Sequence, residues 1–340
     1  KSEHAKRQSE KDFLTIEKAR KNKLNIDWLN YGIKKPNELG VTVLQNFSLE
    51  EIRKYIDWTP FFMTWELKGK YPEIFDNTDY GKEAKKIFDD ANQLLDKIIQ
   101  NKLLVANGVF GLFPANSSED DIEIYSDESR KGILESFHTI RQQSIKSAGI
   151  PNIALADFVA PKKSGIKDYI GMFAVTTGIG IETLINKFEK ENDDYYSIMT
   201  KAVADRLAEA FAELLHQKVR KEYWGYAQDE TLTNTDLIAE NYNGIRTAPG
   251  YPAQPDHTEK LTIWKLLDAE KNTSISLTES LAMYPAASVC GLYFAHPESK
   301  YFTVCKISKD QVDDYHKRKG ISLKEAEKWL RPVLNYDEGE

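Results

Sequence analysis

Apolar residues between positions 82 and 103 fall at Ala84, Ile87, Phe88, Ala91, Leu94, Leu95 and Ile98. Steps of three and four keep them on one face of a 3.6-residue repeat, so the spacing predicts an amphipathic helix over 82–103. A longer helix is expected over 194–223, with the core stripe Met199, Val203, Leu207, Phe211, Leu214 and Val219. Asp205 and Glu209 fall on another face, and Ala204, Ala208 and Ala212 form a small-residue stripe that lets a second backbone approach. Ser48 followed by Glu51 is a capping box opening a short helix through 57, stopped before Pro60. Similar signals open helices at Asp256 with Glu259 (to 267), at Ser308 with Gln311 and at Ser322 with Glu325. Short β-branched or aromatic runs predict strands over 108–115, 121–125, 153–159 and 169–176. Residues 288–294 and 301–307 read as a strand pair joined by the turn His296-Pro297-Glu298-Ser299-Lys300. Gly178 and Gly180 follow a strand without the third glycine of a dinucleotide fingerprint, so that segment is read as a plain strand-to-helix turn. Helices and strands are grouped rather than alternating. The expected fold is therefore α+β, a mainly antiparallel central sheet flanked by long helices. The polar stretch 1–22 is expected to be a charged lead-in or linker, with the folded domain over 23–340.

Composition narrows the function classes. The 340 residues are 41% hydrophobic, enough for one large domain or two. A net charge of −7, with lysines and arginines scattered among acids, argues against a nucleic-acid surface. No apolar run approaches the roughly 18 residues of a membrane span, and the first residues lack the apolar segment of a secretory signal. Cys290 and Cys305 fit no zinc or redox spacing, so a reducing, cytoplasmic setting is expected. The six histidines show no metal-ligand grouping, so no protein-built metal site is expected.

Candidate chemistry centres on Arg246-Thr247-Ala248-Pro249-Gly250-Tyr251-Pro252-Ala253. Two prolines and a glycine in this span read as a fixed loop. The arginine fork suits a carboxylate or phosphate, while the tyrosine offers a flat face and a hydroxyl. A small charged ligand and a rigid connector are both open readings of the loop. Asp57 lies at a helix end among Tyr55, Trp58, Phe61 and Phe62, where an acid opposes the helix dipole. It either pairs with a cationic ligand group or caps local backbone amides. Glu209 either faces solvent or meets a cationic ligand, and Glu240, six residues before Arg246, could share its site. Tyr301 and Phe302, read as opening a strand, point to opposite faces, so at most one side chain is expected to line a pocket. No Ser-His-Asp or Cys-His arrangement is visible, and no catalytic nucleophile is expected.

Taken together, these segments resemble a known family. The segments are Tyr55-Ile56-Asp57-Trp58-Thr59-Pro60-Phe61-Phe62, the helix run from Asp205 to Glu213, Arg246-x-Ala248-Pro249-Gly250-Tyr251-Pro252 and Tyr293-Phe294-x-His296-Pro297-x-Ser299-Lys300-Tyr301. Gly111-Leu112-Phe113-Pro114-Ala115-Asn116, Asp157-Phe158-Val159-Ala160-Pro161 and Tyr223-Trp224-Gly225-Tyr226 support them. In order, and over nearly the whole chain after the lead-in, they resemble the C-terminal activation domain of cobalamin-dependent methionine synthase.

The resemblance implies an S-adenosylmethionine (AdoMet) binding module of a methyltransferase in methionine biosynthesis. Such a module presents the AdoMet methyl for reductive methylation of cob(II)alamin to methylcobalamin. Cobalamin is implied on another domain of the full-length chain and zinc only in a homocysteine module absent from this chain. Flavodoxin or a flavoprotein reductase is the implied electron donor. Carried over by motif, Arg246 would bind the AdoMet carboxylate and Asp57 its amino end. Ala248 and Gly250 would offer backbone contacts, Tyr251 would flank the ligand, Tyr301 and Phe302 would meet the nucleoside, and Glu209 and Glu240 would lie near the sulfonium. Thr247 stands where the family often has proline. Two other expectations compete: a self-contained AdoMet-dependent small-molecule methyltransferase, and a ligand-free docking module for an electron donor.

Overall fold

The computed structural model describes residues 13–337. Strands β1 (Gly40–Leu44), β2 (Val105–Ser118), β3 (Asp121–Tyr125), β4 (Ile133–His138), β5 (Asp168–Ile179) and β6 (Ile245–Thr247) precede a small ribbon of β7 (Ser276–Leu277) and β8 (Met283–Tyr284). With β9 (Ser288–Phe294), the first six form one antiparallel sheet in the order β4-β3-β2-β5-β9-β6, β1 pairing β2 on the edge opposite β5. This is the expected α+β arrangement.

Strand alternation assigns the sheet two buried faces. Phe110, Leu112, Phe173 and Val175 join a core beneath the helices Gly81–Gln100 and Asp194–Lys218. Their neighbours Val109, Phe113, Met172 and Ala174 join a second core with Ile263 and Leu267 of the helix Glu259–Leu267. An antiparallel sheet often keeps one wet face, whereas here helices cover both, which is why β5 is an almost unbroken buried run. A third core gathers Val312, Tyr315, Ala326 and Leu330 from the helices Lys309–Lys319 and Leu323–Leu330.

All six expected core residues of the long helix are buried. The alanine stripe lets β5 come close, and the Thr177 hydroxyl donates to the Ala204 carbonyl at 2.8 Å. The α-helix ends at Lys218, and the turn Val219–Tyr223 is π-helical, a local rewinding frequent at functional sites.

Several expectations need correction. Residues 153–159 do not form a strand. Asp157 accepts the Ala154 amide at 3.0 Å and holds Arg141 with both oxygens, bending the run into the 3-10 turn Leu155–Phe158. The unforeseen β4 pairs with β3 instead. Residues 301–307 form no ladder with β9, whose free edge is taken by β6. They run past the loop, with the Val304 amide donating to the Pro252 carbonyl at 2.8 Å and Cys305 at a left-handed φ of 63°. The helix after Ser48 stops sooner than expected, as Leu49–Ile52 followed by the 3-10 turn Arg53–Tyr55. A new helix, Thr59–Met63, then holds Pro60 in its first turn, where a missing N–H is harmless. Ser48 and Ser322 cap as expected, but Ser308 does not. Gln311 turns inward instead, accepting from the Arg141 amide at 2.7 Å.

Of the expected lead-in, residues 1–12 lie outside the described residues. From Phe13 the chain is already packed. The helix Ile16–Lys21 buries Ile16 and Ala19, and Arg20 pairs with Asp120 and Asp314 at 2.7 Å each. The folded part therefore begins earlier than position 23.

Candidate functional site

The stiff loop grows from an edge strand. Arg246 and Thr247 belong to β6, a three-residue strand that the loop reading had not separated. Beyond it the turn closes on itself: the Gly250 amide donates to the Gln254 carbonyl at 2.7 Å, and the Gln254 amide donates to the Tyr251 carbonyl at 2.9 Å. Gln254 Nε2 ties the turn to the His138 carbonyl at 2.8 Å. Gly250 has φ +93°, and a Cβ there would lie 2.2 Å from His257 Cε1, so both conformation and space require glycine.

This loop forms one wall of a cavity of about 450 Å³. Seven of the nine expected site residues line it: Glu209, Glu240, Arg246, Ala248, Tyr251, Tyr301 and Phe302. Residues 301 and 302 line it without belonging to a ladder: the Tyr301 hydroxyl reaches the Arg246 amide, while the Phe302 ring packs edge-on to Phe158 with ring centres 6.2 Å apart. Gly250, within the loop, and Asp57 are not among the residues lining the cavity. Asp57 Oδ1 accepts the Thr59 amide at 2.9 Å, the backbone-capping arrangement considered for it. The adjoining turn reaches the long helix, where Tyr55 donates to Gln217 Oε1 at 2.6 Å.

Arg246 is the charged centre of the cavity. Its Nη2 pairs with Glu213 Oε2 at 3.0 Å, whereas its Nη1 is buried without a protein partner. Its amide donates to the Tyr301 hydroxyl at 3.2 Å, which lies 3.2 Å from the Tyr242 hydroxyl. Behind it, Arg220 forms a two-point pair with Glu230 at 2.8 and 2.9 Å and lies over the Tyr242 ring, 4.3 Å from its centre. His216 stacks on Tyr293 with ring centres 5.1 Å apart. Burial holds its imidazole well below the usual histidine range, reinforced by Arg220 and Arg246, so the ring is neutral. Burial also pushes the Glu213 carboxyl up, against the pull of Arg246 and Arg220.

The sequence reading missed Glu213, Phe173, Thr247, Val289, Cys290 and Thr303, all in or beside the site. For Glu213 a signal existed: it lies four residues after Glu209, one helical turn along the same face. Burial pushes the Cys290 thiol up to about 12, with nearby Lys260 pulling the other way. Among the described residues no cluster of three or more His, Cys, Asp or Glu side chains could hold a metal ion, and no helix is long and apolar enough to cross a membrane.

Comparison with known proteins gives this geometry a context. Residues 48–320 match the family described as vitamin B12 dependent methionine synthase, activation domain. A crystal structure of the MetH reactivation domain bound to AdoHcy aligns with a TM-score of 0.94 at 56% sequence identity, covering 96% of this chain and 100% of that one. The chain belongs to the family of activation domains of vitamin B12-dependent methionine synthase.

Proposed function

We propose that the cavity under the 246–254 loop binds AdoMet and offers its methyl to cobalamin carried by another domain of a full-length methionine synthase. The observation carrying this reading is Arg246: a guanidinium held on one side by Glu213, with Nη1 buried and unpartnered at a cavity wall. A carboxylate is the complement of such a half-used fork. Glu209 and Glu240 line the same cavity and supply negative charge for a sulfonium. Tyr301 and Phe302 line the side that takes the nucleoside, and Tyr251, 60% exposed, flanks the mouth. Ala248 and Gly250 contribute backbone groups, and Asp57, oriented by its bond from Thr59, takes the amino end.

Bound AdoMet supplies an electrophilic methyl group. The protein's part is to hold the two ends of the ligand and leave the methyl accessible. No nucleophile is required of this chain, in keeping with a protonated Cys290 and a neutral, buried His216. In this reading the acceptor is reduced cobalamin, and flavodoxin or a flavoprotein reductase supplies the electron. The match to an AdoHcy-bound reactivation domain supports the ligand class.

Calorimetric titration with AdoMet tests the reading. Arg246→Ala should weaken binding by about 1.5–3 kcal/mol, roughly tenfold to a hundredfold, as for loss of a charge-assisted bond. Equal affinity in the two proteins, or no heat at millimolar AdoMet, would remove its basis.

A further inference from the structure

We infer that Glu213 is a positioning residue that fixes Arg246 for recognition of the ligand's carboxylate, an inference that rests on the AdoMet reading above. One carboxylate stands between two guanidiniums. Oε2 takes Arg246 Nη2 at 3.0 Å, while Oε1 faces Arg220 Nη1 at 3.9 Å. Arg220 has no freedom to move: it is fully buried, held at two points by Glu230 and packed on Tyr242. Arg246 is different, since its side chain is 21% exposed and sits on an edge strand at the cavity wall. Without the charge of Glu213, two cations would face each other in a region of low polarity, and Arg246 is the one that can leave.

The planar guanidinium makes this a matter of direction as well as charge. Its donors form a rigid fork, so fixing Nη2 against Glu213 also fixes where Nη1 points. The arrangement is a turn-by-turn product of the long helix. Glu209 lines the cavity, Glu213 holds Arg246 one turn later, and the π-helical turn Val219–Tyr223 carries Arg220. Two other roles for Glu213 make different predictions. A competitor that masks the guanidinium would weaken carboxylate binding while present. A purely structural residue would affect every ligand alike.

The test compares AdoMet with decarboxylated AdoMet, which keeps the nucleoside, sulfonium and amine but lacks the carboxylate. Affinities are measured by calorimetry for the wild-type chain, Glu213→Gln, Glu213→Asp and Arg246→Ala, with circular dichroism melting as the fold control. The wild type should prefer AdoMet by about tenfold or more, and Arg246→Ala should abolish that preference. Glu213→Gln should lose most of the preference while binding the decarboxylated ligand within about twofold of wild type. Glu213→Asp keeps the charge but shortens the reach, and should lose part of it; this variant carries the test if the glutamine variant does not fold. A glutamine variant with the wild-type preference, or with tighter AdoMet binding, overturns the inference. So does equal weakening of both ligands. A wild type without preference would instead refute the carboxylate role of Arg246 itself, which separates the two failures.

Discussion

Substituting alanine for Gly250 probes the loop that shapes the cavity. Two costs are expected, and they are separable. The first is conformational: at φ +93° a side chain meets its own backbone, worth about 1–2 kcal/mol. The second is steric, because the new Cβ would lie 2.2, 2.5 and 2.8 Å from Cε1, Nδ1 and Nε2 of His257. That ring cannot simply swing aside, since its Nδ1 lies 3.0 Å from Lys260 Nζ, which is itself bonded to the Leu281 carbonyl at 2.8 Å. Overpacking of this kind costs about 1–3 kcal/mol, so Gly250→Ala should lose about 2–5 kcal/mol of stability. His257→Ala alone should cost about 1 kcal/mol, and the double variant should retain only the conformational part of the alanine penalty. Urea unfolding of the four proteins gives the coupling directly, expected at about 1–3 kcal/mol in the rescuing direction. AdoMet titration should follow the same order, weakest in Gly250→Ala and partly restored in the double variant. Additivity within about 0.5 kcal/mol would show that His257 does not hold the loop.

Three further substitutions test the rest of the frame. Lys319 is paired with Glu259 and, at 2.9 Å, with Asp256, both fully buried. Lys319→Met should therefore cost about 3–5 kcal/mol near neutral pH, measured by urea unfolding, and a loss below about 1 kcal/mol would contradict the pairing. That penalty should shrink in acid as Glu259, whose carboxyl is pushed up by burial, takes a proton. Asp168 is pushed up to about 7 by burial, so the stability tied to its neutral form is complete below the ordinary value of 3.8 and lost as pH rises toward 7. The stability difference between wild type and Asp168→Asn should consequently change by a few kcal/mol across that window; parallel pH profiles would refute the assignment. Phe211→Ala empties a fully buried site that stacks on Phe47, and calorimetric melting should register about 3–5 kcal/mol, a much smaller loss implying that the helix and sheet collapse around the gap.

Periodicity was legible wherever a single physical constraint acted on many residues. The helix expected over 82–103 runs Gly81–Gln100, because its stripe had to meet one core and little else opposed it. The boundary after Lys218 was not legible, since a π-helical turn shifts side-chain direction without altering composition. Ile133–His138 was missed for another reason: its Ile133 and Leu134 are both exposed, so the run carries no alternation to detect. In the site, the charged and aromatic identities were visible, but the pairing of Arg246 with Glu213 depends on how β6 is laid beside the long helix.

The misreading of residues 301–307 is the most instructive, because its cause bears on function. Tyr301, Phe302, Thr303, Val304 and Ile307 have the composition of a strand, and β9 has an edge to offer. That edge is taken by β6, three residues long and disguised by the prolines and glycine that follow it. Had 301–307 paired there, β6 would have had no place beside β9. Arg246 would also have lost the strand that sets it at the cavity wall. Leaving the ladder to β6 keeps both residues at the cavity and lets the Tyr301 hydroxyl meet the Arg246 amide while the Phe302 ring packs on Phe158. A strand-like sequence is left out of the sheet at the point where the Tyr301 hydroxyl must reach the strand that carries Arg246.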